Sequence, residues 1–191
     1  MISADGKHVK LADFGLARLS AIPNGPYTFE VVTLWYRSPE LLLGANRYST
    51  AVDVWSIGCI IFELALGVTL FQTHDNREHL AMMERILGPV PARMVTKTRV
   101  DYFRKGRLDW DEKSHDGRYV KEHCKPLSRY IPKSKMEDED WQDMFDLVHK
   151  MLFYDPHKRL TLQEATRHVF FHPLKNRQGA YLHSDGSSLS R

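Results

Sequence analysis

The sequence has little cysteine, little net charge and no long hydrophobic run. Its 191 residues include two cysteines, Cys59 and Cys124, which lie far apart and form no CxxC pair. This argues against a disulfide framework or a structural zinc site and favours a reducing compartment. The formal net charge of +3 is a basic bias too weak to indicate a nucleic-acid partner by itself.

Membrane insertion and secretion are also not indicated. The most apolar segment runs from Val54 to Gly67, which is too short to span a bilayer, and it contains Glu63. The first twenty residues lack the basic start and long apolar stretch of a secretory signal. We therefore expect a soluble protein with no membrane partner, and we predict that the apolar segment is a buried helix.

Apolar periodicity and capping residues predict a mainly α-helical chain with almost no strand. A short strand is predicted at Val9–Ala12. The predicted helices are a brief one within the motif SPELLLG, one from Ser49 or Thr50 to about Leu66, one from Asp75 to Gly88, one from Trp141 to Phe153 and one over 161–170. The polar, proline-containing stretch 89–137 is predicted to be irregular and to form a functional insert, and the tail over 175–191 to be flexible.

Four motifs follow one another in a fixed order. Asp-Phe-Gly occurs at 13–15 within HVKLADFGLAR, followed by TLWYRSPE at 33–40, DVWSIG at 53–58 and DPHKRLTLQEA at 155–165. One tripeptide recurs by chance, but the ordered set is specific. The chain resembles the large helical C-terminal lobe of a eukaryotic protein kinase of the CMGC group, which implies a partial kinase domain over 1–174.

The resemblance implies a role for each residue of the first motif. Asp13 would chelate the magnesium ion that bridges the β- and γ-phosphates of ATP. Gly15 would allow a sharp turn of the backbone. Phe14 would pack inward and distinguish the active from the inactive arrangement.

The later motifs have structural roles by the same resemblance. Thr33 would steady the catalytic base. Glu40 would lie buried in an ion pair with Arg159, since a buried carboxylate needs a partner. Asp53 would begin the central helix and hold the catalytic loop, although an acid at a helix N-terminus is also favoured by the helix dipole alone.

Two subfamilies of this kinase group are represented. Residues 8–66 resemble the cyclin-dependent kinases, which implies an activating phosphate on Thr28 paired with Arg18. Residues 68–174 resemble the LAMMER, or CDC-like, kinases, with the signature EHLAMMERILG at 78–88. That second resemblance implies transfer of phosphate, with Ser/Thr or dual specificity, to arginine/serine-rich splicing factors. No direct nucleic-acid binding is expected. The expected location is the nucleus, with the cytoplasm as the alternative.

Several parts of a working kinase do not occur in these 191 residues. There is no G-x-G-x-x-G loop, no strand lysine of the adenine-binding lobe and no His-Arg-Asp triplet. We therefore expect the chain alone to be inactive and to bind neither ATP nor Mg²⁺ tightly, although the complete kinase would use both. Two alternatives stay open: a non-catalytic module that binds substrates or partners, and an incomplete gene model.

Overall fold

The computed structural model describes residues 1, 3–6, 8–15, 17 and 33–172, and within them the chain is mostly helical. The helices are α1 (Pro39–Leu42), α2 (Ala51–Leu66), α3 (Asn76–Leu87), α4 (Ala92–Val95), α5 (His115–His123), α6 (Glu139–Met151) and α7 (Leu162–Ala165), with short 3-10 turns at Leu34–Tyr36, Leu127–Tyr130, Lys133–Lys135 and Val169–Phe171. The predominantly α-helical class predicted from the sequence is confirmed.

The core lies where α2 and α6 pack together, and α3 packs against α5 beside them. Trp55 and Phe62 of α2 are buried with Phe71, Leu80 and Met83. Trp55 stacks on Phe71 with ring centroids 5.9 Å apart. The buried Met83 shows that the methionines of the EHLAMMERILG signature serve packing.

Helix α2 ends as predicted and is covered on one side. Gly67 adopts the left-handed conformation with a φ of 70°, and its N–H donates to the Glu63 carbonyl, which closes the helix. The prediction that this apolar segment is a buried helix is correct for one side only, because Ile60 and Leu64 are 43% and 79% exposed. Within the described part of the chain, α6 packs on one side of α2 and leaves that stripe open to solvent.

Helix α3 begins at a side-chain cap. The Asp75 carboxylate accepts hydrogen bonds from the backbone N–H groups of Arg77 and Glu78, both at 2.8 Å. The Glu78 side chain contacts the Thr73 hydroxyl instead of turning back to the N-cap N–H. The Gly88 N–H donates to the Glu84 carbonyl at the other end of the helix.

The stretch 89–137 is more ordered than predicted. It contains α4, the antiparallel hairpin of β1 (Phe103–Arg104) and β2 (Arg107–Leu108), and α5. The Ser114 hydroxyl caps α5 by accepting from the Gly117 N–H at 2.9 Å. Helix α5 was missed because only Gly117 and Val120 of its nine residues are buried, so its sequence has no apolar stripe.

The ends of the described chain depart from two further predictions. In place of a strand at Val9–Ala12, there is an isolated bridge at Val9. The last predicted helix is shorter, with α7 ending at Ala165. Its capping box, in which Thr161 and Glu164 bond each other's backbone N–H, is present. The predicted tail lies outside the described residues.

Candidate functional site

A buried ion pair joins two of the sequence-predicted site residues. Arg159 Nη1 donates to Glu40 Oε1 at 2.8 Å, and Nη2 donates to Oε2 at 2.9 Å. The Arg159 side chain is fully buried and that of Glu40 is 9% exposed. In this bidentate contact the planar guanidinium faces the planar carboxylate, and the pair links α1 to the turn after α6.

The remaining Arg159 donors bind backbone carbonyls. Nη1 also donates to the Ala51 carbonyl at 2.7 Å, Nη2 to Tyr154 at 3.2 Å, and Nε to Phe153 at 3.0 Å. The guanidinium also lies 5.3 Å from the centre of the Trp55 ring. All five N–H donors of Arg159 are therefore used, and α1, the start of α2 and residues 153–159 are held at one junction.

The segment between Thr33 and Glu40 is anchored on α2 and on the loop between α2 and α3. Trp35 donates from Nε1 to the Thr73 carbonyl at 2.8 Å. The Tyr36 hydroxyl donates to Glu63 Oε2 at 2.8 Å, and the Ser56 hydroxyl donates to the Tyr36 carbonyl at 2.9 Å. The bond to Glu63 raises the pKa of Tyr36. Sequence reasoning missed this link, although a carboxylate among the apolar residues of a helix is a signal that it needs a polar partner.

Thr33 and Asp53 lie at the surface. Thr33 precedes the 3-10 turn, and its carbonyl accepts the Tyr36 N–H at 3.0 Å. Asp53 is exposed in the first turn of α2. This position is compatible with the dipole interpretation, and its expected role toward a catalytic loop stays a prediction.

Asp13, Phe14 and Gly15 belong to an exposed segment near the start of the chain. Asp13 has a φ of 62°, in the left-handed region that aspartate tolerates better than most residues. Phe14 is 67% exposed. The inward packing of Phe14 expected from the sequence is therefore wrong for this structure, because the surrounding segment over 8–15 makes no buried face for the ring to join.

The exposed Asp13 carboxylate fits one part of a magnesium site. Mg²⁺ usually takes one or two protein carboxylates and completes its octahedron with phosphate oxygens and water. No group of three or more His, Cys, Asp or Glu side chains suited to a metal occurs among the described residues. Asp13 can thus supply one ligand, and a nucleotide or other groups would have to supply the rest. Arg18 and Thr28 lie outside the described residues.

Comparison with known proteins identifies the family. A family model described as "Protein kinase domain" matches residues 1–171, so the chain belongs to the protein kinase family. The chain is 57% identical over 164 residues to "Dual specificity protein kinase CLK2" of Mus musculus, covering 85% of this chain and 32% of that protein. It is 52% identical over 184 residues to the Homo sapiens protein of the same name, covering 96% of this chain and 36% of the relative. The resemblance to CDC-like kinases is confirmed.

Two further comparisons extend this result. "Serine/threonine-protein kinase Doa" of Drosophila melanogaster is 52% identical over 169 residues, which cover 85% of this chain and 20% of that protein. A crystal structure of a kinase domain superposes with a TM-score of 0.71 at 35% identity, covering 85% of this chain and 47% of that chain. The chain spans about a third of the length of its CLK2 relatives. No helix in the described ranges is long and apolar enough to cross a membrane.

Proposed function

We propose that the chain is the helical C-lobe portion of a dual-specificity protein kinase of the LAMMER type. The complete kinase would transfer the γ-phosphate of ATP to serine and threonine, and also to tyrosine, of protein substrates. The observation that carries this proposal is the similarity to kinases named dual specificity CLK2 over 85% and 96% of the chain.

The open stripe on α2 supports a lobe that needs further kinase segments. Ile60 and Leu64 lie four residues apart on one side of the helix, and Val68 follows at 51% exposure. Neighbouring apolar side chains exposed in this way indicate a contact surface. The part of a kinase that carries the glycine-rich loop and the His-Arg-Asp loop would cover it.

Within this proposal Asp13 acts as the ligand of the magnesium ion on ATP. The Glu40–Arg159 pair acts at a distance from the chemistry, as the junction that holds the TLWYRSPE segment to α2. Arginine/serine-rich splicing factors are the proposed substrates and the nucleus the proposed location. Both come from the LAMMER resemblance.

Activity is tested in a chimera. Residues 1–172 of this chain would replace the matching segment of mouse CLK2, and transfer of labelled phosphate from ATP to an arginine/serine-rich peptide would be measured. We expect transfer by the chimera, loss with Asp13→Ala and no change with Glu122→Ala, a matched exposed acid on α5. A chimera that is folded but inactive, or an Asp13→Ala variant as active as its parent, would contradict the proposal.

We also propose that the 191 residues alone do not transfer phosphate. A general base and the groups that position the nucleotide act together, so the absence of both removes most of the rate enhancement. The isolated chain, ATP, Mg²⁺ and the same peptide should give no incorporation above the Asp13→Ala control. Incorporation clearly above that control would contradict this part.

A second candidate function is a non-catalytic binding module, which the exposed α2 stripe also favours. In this case the chain would bind the arginine/serine-rich peptide without ATP. Micromolar affinity with no turnover in the chimera would favour the module over the kinase. Lack of binding together with turnover in the chimera would exclude it.

A further inference from the structure

A cavity of about 460 Å³ opens beside the buried Glu40–Arg159 junction, on residues that the proposed phosphotransfer does not use. It lies between the loop after α1, helix α4 and the turn over 155–157. The loop and the segment after α4 are held together because the Arg99 N–H donates to the Leu43 carbonyl at 3.0 Å. The volume falls within the range of about 300–1,000 Å³ that is usual for sites of small ligands.

The wall of this cavity is largely apolar. Leu43 is buried, and Ala45, Met94 and Pro156 are partly buried around it. Such a wall would remove the hydrocarbon part of a ligand from water.

The charges around the cavity are not balanced. Both carboxylates that line it already have partners: Glu40 is bound by Arg159, and Asp155 pairs with Arg93. Arg47 and Lys97 also line the cavity and are exposed, and neither forms an ion pair with any carboxylate in the described part of the chain. Two cations with no carboxylate partner among the described residues therefore line a largely apolar cavity.

We propose that this cavity binds a small amphipathic anion, with its carboxylate between Arg47 and Lys97 and its hydrocarbon chain against Leu43, Ala45 and Met94. A charge-assisted contact at the mouth and burial of the hydrocarbon inside would both contribute to affinity. Neither a bare anion nor a neutral alcohol has both features. The site is separate from Asp13 and does not depend on phosphotransfer.

Calorimetric titration of the 191-residue chain tests the ligand class with three probes: octanoate, octanol and inorganic phosphate. We expect saturable binding of one octanoate, binding of octanol weaker by about tenfold or more, and no saturable binding of phosphate. Octanol bound as tightly as octanoate, phosphate bound as tightly as octanoate, or no saturable octanoate binding would each overturn the proposal.

Variants test the position. The double variant Arg47→Glu/Lys97→Glu should weaken octanoate binding by about tenfold or more, and Ala45→Phe should abolish it by filling the cavity. Lys133→Glu, a reversal at an exposed lysine that does not line the cavity, should leave it unchanged. Circular dichroism checks that each variant is folded. If Ala45→Phe does not fold, the double variant alone tests the position of the site, because Arg47 and Lys97 are both exposed and their substitution should leave the fold intact. Wild-type affinity in the folded double variant, or an equal loss in Lys133→Glu, would overturn the assignment.

Discussion

The Glu40–Arg159 junction and the segment around Asp13 differ in how far their side chains are buried and in how many contacts they make. Arg159 is fully buried and each of its donors has an acceptor. Leu11 and Phe14, on either side of Asp13, are 83% and 67% exposed. The residues that organise the helical body find their partners within the chain, whereas Asp13 and Phe14, which are expected to serve the nucleotide site, lie exposed.

The contrast follows from what each group needs. A buried charge is tolerated only when other protein groups replace the water that it loses, so the Arg159 site must be complete within the folded chain. An exposed carboxylate keeps its water and needs no protein partner. Stability should therefore be sensitive to substitutions in the helical body, above all at the junction, and insensitive to substitutions in the exposed N-terminal segment that contains Asp13. Four pairs of substitutions, one in each region, measure this difference.

The largest effect is expected for Arg159→Leu. It leaves Glu40 as a buried carboxylate without a cation and removes donors from three backbone carbonyls, so the free energy of unfolding should fall by about 3–5 kcal/mol. Urea denaturation provides the measurement. Asp13→Asn is the paired control and should change stability by less than about 0.5 kcal/mol. An equal loss of unfolding free energy in the two variants would show that the junction and the Asp13 segment do not differ in their contribution to stability.

Met83→Ala should have the next largest effect. The Met83 side chain is completely buried in α3, so its truncation leaves a cavity that costs about 2–5 kcal/mol. Phe14→Ala removes a larger but exposed side chain and should cost less than about 0.5 kcal/mol. Thermal and urea unfolding of both variants would test this pair, and a larger loss for Phe14→Ala would show that the ring is buried after all.

His79 should make stability depend on pH. Burial, reinforced by the Arg37 guanidinium, lowers the pKa of His79 to about 3 from 6.5. Between these values the unfolded chain takes up a proton that the folded chain does not, so the contribution of neutral His79 is present above about pH 6.5 and is lost as the pH falls toward 3.

His79→Leu should therefore flatten the dependence of the unfolding free energy on pH in this window. It should not reduce stability at pH 7, because neither ring nitrogen has a hydrogen-bond partner among the described residues. His8→Leu, at an exposed histidine of the N-terminal segment, should leave the slope as it was. A slope unchanged by His79→Leu would show that other groups cause it.

The smallest effect is expected for Thr161→Ala. The Thr161 hydroxyl accepts the Glu164 N–H at the start of α7, and loss of such a cap costs about 1 kcal/mol. The paired change Ser3→Ala removes the acceptor for the His8 N–H in the exposed segment and should cost less than about 0.5 kcal/mol. A loss from Ser3→Ala as large as that from Thr161→Ala would mean that the segment contributes to global stability.

Features that depend on neighbouring residues were predictable from the sequence. Gly67 stops α2, Asp75 caps α3 and Thr161 caps α7, because each acts on backbone groups within four residues of itself. Helix α5 was not predictable, because its polar sequence is stabilised by the Ser114 cap and by contact with α3. The exposure of Leu64 could not be predicted either, since apolar periodicity does not tell which neighbours are present to cover a helix.

The sequence by itself determined the order of the kinase motifs and the identity of the two residues in the buried pair. Only the tertiary structure decided which of these residues are buried and which of them contact each other. Glu40 and Arg159 lie 119 residues apart, and their bidentate contact requires α1, α2 and the turn behind α6 to lie side by side. The cavity beside that pair likewise has walls from three distant segments. Hydrogen bonds between residues close in the chain are determined by the local sequence. Which residues are buried, and which charges pair, depends on which distant segments pack against each other.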